Sequence, residues 1–219
     1  MIMQRILSTR ELLQAQTALL IAIALQFVAS AISFELLPGI HYGIILIELF
    51  LVLVLSSTAH LTSGHSRAVN HFIAVILLAL LSLANIGALI SVLQSLILEH
   101  NAAGGKELLA SAIAIFLTNI IVFSLWYWEI DSPALTRKRW SKHDKDFQFT
   151  QQDMPKEFKN WKPEFADYLY LSITNAVNFA PADTKPLTRN AKILMSSQSL
   201  VSVFTLGLLV ARAVNILGS

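Results

Sequence analysis

A stripe of polar side chains runs along the last apolar stretch of this chain. Gln198, Ser202, Thr205, Arg212 and Asn215 follow one another at spacings of 4, 3, 7 and 3. Such spacings put them on one face of a helix. Lipid cannot satisfy these groups, so the face must meet protein or water. Two readings fit. One is the lining of a pore or cavity in an oligomer. The other is hydrogen bonding to neighbouring helices, which small polar residues provide in membranes. Arg212 also has two roles open to it. It can snorkel to the interface, or line a pore that would then suit anions.

A carboxylate stands in another apolar run, Glu48 within Ile44-Ile45-Leu46-Ile47-Glu48-Leu49-Phe50. An intramembrane acid is costly and often marks an ion or proton path. The alternative is a shallow acid, or a protonated one bonded to a neighbouring helix, with Asn85 and Asn119 as partners. His60, His65 and His71 share one loop edge. Their spacings of five and six do not set ligands on one helical turn. The chain has no cysteine, so thiolate metal sites and disulfides are excluded. No metal, no cofactor and no nucleic-acid partner is expected. No nucleotide loop and no nucleophile–base–acid set is present, so the expectation is not an enzyme.

The elements that carry these residues are membrane helices. Charged residues are 14% of the 219 positions, hydrophobic residues 55%, and the mean hydropathy is +0.61. A soluble domain carries about a quarter charged residues. A helix needs about 20 apolar residues to cross the hydrocarbon core, and several runs qualify. Residues 1–16 read as an amphipathic entry helix rather than a cleaved signal. Spans follow at about Thr17–Leu37, closed by Pro38-Gly39, at Tyr42–Thr58, at Phe72–Leu98 and at Leu108–Trp128. The last ends in Trp126-Tyr127-Trp128, rings that favour the membrane–water interface. The polar segment from Glu129 to Glu164 mixes charge with Trp140, Phe147, Phe149 and Trp161, as a segment lying on the membrane surface would. Phe165–Asn178 is a short apolar helix, residues 179–188 a loop, and Arg189–Leu217 a long helix. The domains expected are 1–107, a three-helix region, and 108–219.

Lysine and arginine divide unequally between the two sides. With five full spans, Arg5, Arg10, Arg67 and the eleven basic residues from Arg137 to Lys192 share one side, and Lys106 and Arg212 lie near the other. The positive-inside rule makes the richer side cytoplasmic, in the inner or plasma membrane of a bacterium.

Tyr170-Leu171-Ser172-Ile173-Thr174, a filter-length loop, Asp183, Pro186-Leu187-Thr188-Arg189 and a long apolar helix resemble the carboxy-terminal half of the potassium channel superfamily. The layout is also similar to a family of uncharacterised bacterial multi-pass membrane proteins. The resemblance covers about 55 residues. It implies an outer helix at 108–128, a pore helix at 165–178, an inner helix at 189–217 with Gly207 as hinge, and a homotetramer around an axis. The filter would fall on Asn178-Phe179-Ala180-Pro181-Ala182-Asp183. A carbonyl-lined potassium filter needs glycines, which visit the left-handed region freely. Here there is none, and Pro181 restricts itself and Ala180. A constriction would therefore be built by the side chains of Thr174, Asn175 and Asn178, with Asp183 at the mouth.

The orientation departs as well. In potassium channels the pore loop enters from outside, whereas the charge count puts this loop on the cytoplasmic side. The loop enters from the cytoplasm, or the basic segment is extracellular, or residues 165–181 cross fully to give six spans.

The expectation is an all-α membrane protein of about five spans and a short re-entrant helix, passing small ions through an oligomeric pore. Two alternatives stand beside it. One is a secondary transporter using Glu48, which the missing internal repeat argues against. The other is a non-conducting scaffold that keeps a channel-like fold.

Overall fold

A computed structural model describes residues 9–32, 38–58, 64–97, 105–131, 145–159, 161–180 and 183–217. Its helices are α1 (Thr9–Ile32), α2 (Pro38–Thr58), α3 (Gly64–Ile97), α4 (Gly105–Asp131), α5 (Thr150–Asp153), α6 (Phe165–Asn178) and α7 (Arg189–Leu217). Two short strands, β1 (Phe147–Gln148) and β2 (Lys185–Pro186), pair antiparallel. Four helices are long and apolar enough to cross a membrane, over Leu13–Ser30, Val69–Gln94, Lys106–Asp131 and Arg189–Ala211. The apolar stretch of α2, Tyr42–Ser57, is shorter.

Several helices begin earlier than the sequence suggests. α1 runs unbroken from Thr9 through Thr17, so the expected entry helix and first span are one helix; nothing between Gln16 and Thr17 disfavours continuation. Pro38 opens α2 instead of only closing α1. Its missing N–H costs nothing in a first turn, where no carbonyl precedes it in the helix. α3 starts at Gly64 and carries His65 and His71 on a helix, whereas His60 lies outside the described residues.

The long helices pass back and forth. The Gln16 amide donates to the Ser56 hydroxyl at 3.1 Å, so α1 and α2 are antiparallel. Gln26 donates to the Leu81 carbonyl at 2.8 Å and joins α1 to α3. His71 Nδ1 meets Glu129 Oε1 at 2.9 Å, placing the start of α3 beside the end of α4. The buried Glu129 carboxylate thus has a partner on α3. Tyr127 and Gln198, then Asn119 and Ser202, join α4 to an antiparallel α7.

α4 is the helix on which the others lean, touching α1, α3, α6 and α7. It meets α1 through small side chains. Ala15, Ala18, Ala22 and Ala29 are buried on α1 and Ala112 and Ala114 on α4, and small residues let backbones approach closely. Leu77, Leu78, Leu81, Leu125 and Leu171 fill the main core, and Val92, Ile115 and Leu208 a second one. Large apolar side chains point outward along the bundle, among them Leu46, Phe50, Leu53, Leu83, Ile193, Leu200 and Val210. Hydrocarbon is the solvent in which such an exterior is stable.

The polar segment is only partly a surface element. Phe147 and Phe149 are buried, with Phe147 packed edge-on against Tyr127 at 5.3 Å and Phe149 against Tyr168 at 5.4 Å between ring centroids. Tyr127 and Trp128 are buried too. They do not form an outward aromatic belt, because α6 and the segment carrying β1 cover that end of α4.

Candidate functional site

The buried polar groups concentrate where α4, α6 and α7 meet, and they assemble from the outer end inward. α6 begins after Glu164, whose N–H is accepted by Asp167 at 2.7 Å. Such a bond satisfies one of the donors a helix start leaves open. One turn in, the Tyr168 hydroxyl donates to Asp131 Oδ2 at 2.6 Å. The other carboxylate oxygen accepts the N–H groups of Asp146 and Phe147 at 2.6 and 3.1 Å. Asp131 therefore ties the end of α4 to the strand and to α6. Burial, together with the Asp131 carboxylate at its hydroxyl, holds Tyr168 well above the usual phenol range, so it stays the donor.

The start of α7 is fastened to the same place. The Leu187 N–H donates to the Asp146 carbonyl at 2.8 Å, and the Thr188 hydroxyl bonds the Asp146 carboxylate. Strand pairing sets Phe147 opposite Pro186 and Gln148 opposite Lys185. The chain thus leaves the end of α4, runs down α6, and comes back to that end before α7 starts.

Deeper between the three helices lies a closed hydrogen-bond network. Gln198, fully buried, accepts the Tyr127 hydroxyl at 2.6 Å and an Asn175 amide hydrogen at 2.8 Å. Its own amide donates to the Ser172 hydroxyl oxygen at 2.7 Å and to the Ser172 carbonyl at 3.0 Å. Ser172 passes its hydrogen to the Ile120 carbonyl at 2.6 Å. Asn175 also donates to the Met195 carbonyl at 3.0 Å and accepts from Ser199 at 3.3 Å. A buried network satisfied in this way fixes one packing of its helices.

The residues read from the sequence as a pathway divide into two sets. Thr174 and Asn175 are buried inside the chain, Thr174 bonding the Tyr170 and Leu171 carbonyls at 3.0 Å each. Asn178 is exposed on the last turn of α6, and Phe179, Ala180 and Asp183 are exposed beyond its end. Pro181 and Ala182 lie outside the described residues. Phe179 has φ 55° and ψ 23°, a left-handed conformation. That position at a helix end usually holds glycine.

On α7, Gln198, Ser202 and Thr205 are all buried against the chain's own helices. Ser202 accepts from Asn119 at 2.9 Å, and Thr205 bonds back to the Val201 carbonyl at 2.6 Å. Their face is therefore turned into the chain, and a pore between copies would be lined by the opposite face. Gly207 is on that opposite face, with open space beside it. The Arg212 and Asn215 side chains lie outside the described residues.

Glu48 is fully buried, and neither carboxylate oxygen has a hydrogen-bond partner among the described residues. Asn85 and Asn119 do not take the partner role expected of them, since Asn119 turns to Ser202. Sequence reasoning took Tyr127 only as an interface ring and did not single out Asp131, Tyr168 or Gln26. The last could have been found as the one amide inside Ala24-Leu25-Gln26-Phe27-Val28. No group of three metal-ligating side chains occurs among the described residues. No protein-family model, no curated protein and no solved structure matches this chain.

Proposed function

We propose that the chain is an integral membrane protein that passes small ions through a channel-like module, α4–α6–α7, repeated around an axis in a homotetramer. In this reading α2 is a fifth span and α6 a re-entrant pore-type helix. The observation that carries it is the return of the chain after α6. Both ends of the α6 excursion are pinned at the end of α4, by Tyr168 to Asp131 and by Leu187 to Asp146. That favours a helix that enters and withdraws over one that crosses to give six spans. The basic residues Lys145, Lys156, Lys185 and Lys192 gather at the same end, which supports a cytoplasmic mouth.

The conducting path in this reading runs past Asn178 and Asp183 and along the outward face of α7, at Leu200, Val203, Phe204, Gly207 and Val210. Largely apolar walls can gate a pore by dewetting. Asp183 at the mouth favours cations.

Flux in liposomes reconstituted with purified protein tests this reading. Cation flux that exceeds anion flux, and falls in Asp183→Asn, supports it. Liposomes as tight as empty ones overturn it and leave the scaffold.

A further inference from the structure

We propose that the turn Met154–Phe158 docks into the phospholipid leaflet beside the end of α4 and the start of α7. Met154, Pro155 and Phe158 enter below the headgroups, and Lys156, Lys159 and Lys162 meet the phosphates. The inference rests on the chain spanning a membrane, and not on whether the pore module conducts.

The turn is held at one level of the bundle. The apolar run of α4 ends at Asp131 and that of α7 begins at Arg189. Between them, Asp131 accepts the N–H groups of Asp146 and Phe147, and the Asp146 carbonyl accepts that of Leu187. One end of the segment is thus fastened where two apolar runs meet its chain. The other end is fastened to the same place, because Trp161 packs on Phe149 at 5.5 Å between ring centroids and Phe149 packs on Tyr168. The chain from Phe149 to Trp161 is therefore an excursion out and back. Half of its length, fully extended, reaches roughly 20 Å, and turns shorten it further.

The composition of this excursion is unlike that of a turn in water, which draws on Gly, Asn, Asp and Ser. Met154 is 44% exposed and Phe158 42%. The Phe158 N–H donates to the Met154 carbonyl at 3.0 Å. That bond closes one helical turn and sets the two side chains on one side. Pro155 beside them is exposed as well, and so are Lys156, Lys159 and Lys162. None of the three ammonium groups has a partner among the described residues. Of the nearby acids, Asp153 already accepts the Gln148 amide at 2.6 Å, which leaves Glu157 against three cations.

The chemistry selects the partner. Apolar side chains ringed by lysines are the pattern of a segment lying at the boundary of headgroups and acyl chains. Lysine stems run along apolar surface while the ammonium stays at the polar level. A protein partner needs about 800 Å² on each side for a stable interface, far more than three side chains offer. A leaflet needs no such area, since the turn is already tethered beside it and the contact is in effect intramolecular. Docking also couples the leaflet to α6, because Trp161, Phe149 and Tyr168 pack in series.

The chain has no cysteine, so a nitroxide can be placed at one position at a time. The full chain in phospholipid nanodiscs carries it on Phe158→Cys or on Leu83→Cys, an outward position midway along the apolar run of α3. Oxygen, which concentrates among acyl chains, and a water-soluble nickel chelate compete to relax the label. The label on Phe158→Cys should lie about 5 Å below the phosphates. Adding Lys156→Gln, Lys159→Gln and Lys162→Gln together should lift it to the phosphate level or above. Free access of nickel to Phe158→Cys, with Leu83→Cys deep in hydrocarbon, overturns the docking alone. A label on Phe158→Cys shielded from both relaxers is covered by protein, which also overturns it. An unchanged depth in the triple glutamine variant overturns the phosphate contact. Nickel at Leu83→Cys overturns the membrane-spanning reading and the docking with it.

Discussion

The two halves of this molecule treat buried polar groups in opposite ways. Around Gln198 the amides and hydroxyls of α4, α6 and α7 answer one another, and both ends of the Gln198 amide are used twice. Around Glu48 a carboxylate and the Gln26 amide oxygen are buried with no hydrogen-bond partner among the described residues. The first arrangement is structural glue, because a satisfied network specifies one packing. The second leaves polar groups buried without a partner among the described residues, which costs their solvation without return. The division is not absolute, since Thr118 and Asn119 on α4 also each keep an unpartnered oxygen. Of the polar stripe of α7, for which the sequence left pore lining and interhelical bonding both open, Gln198 and Ser202 belong to the glue.

The largest expected effect breaks the glue. Gln198→Leu leaves Asn175 and Tyr127 facing a methyl group and should cost about 3 kcal/mol, since each buried group left unsatisfied loses its solvation without return. Unfolding in detergent by denaturant measures it. Glu48→Leu should move the other way. With no partner among the described residues to orphan and a polar group removed from an apolar interior, it should stabilise the protein by about 1–2 kcal/mol. A loss there equal to that of Gln198→Leu would erase the contrast between the halves.

Smaller changes sharpen it. Tyr168→Phe removes one donor from Asp131 while the two backbone N–H groups remain. The expected loss is about 1.5 kcal/mol, typical of a hydrogen bond to a charged group. Phe179→Gly relieves a left-handed backbone and should stabilise by about 1 kcal/mol. Its effect on flux should be separable from its effect on melting, because Phe179 is exposed at the end of α6.

The helices of the carboxy-terminal module were legible because their boundaries are chemical. Glu164 precedes an apolar run, Pro181 and Pro186 interrupt the chain, and α7 is one long apolar stretch. α2 was misjudged at its start because proline both ends helices and opens them. The spacing of Gln198, Ser202 and Thr205 announced a face, but spacing does not say which neighbour the face meets. That depended on Asn175, Tyr127 and Asn119, far away in sequence. The burial of Phe147 and Phe149 was illegible for a similar reason. Two aromatics in a polar segment read as surface anchors until a strand pairing pulls them under α4. Glu48 was visible at once as a lone acid, whereas the role of Gln26 emerged only when α1 was set against the Leu81 carbonyl of α3.

The direct test of the proposed function asks which face of α7 borders water. The chain has no cysteine, and a side chain added at Gly207 meets nothing within 4 Å. Gly207→Cys and Ser202→Cys therefore place a single thiol on the outward and inward faces. Ion flux through liposomes is measured before and after a water-soluble thiol reagent. The expected result is flux that the reagent blocks in Gly207→Cys and leaves unchanged in Ser202→Cys. Flux blocked only in Ser202→Cys, or no flux in the unmodified protein, would contradict a pore lined by the outward face.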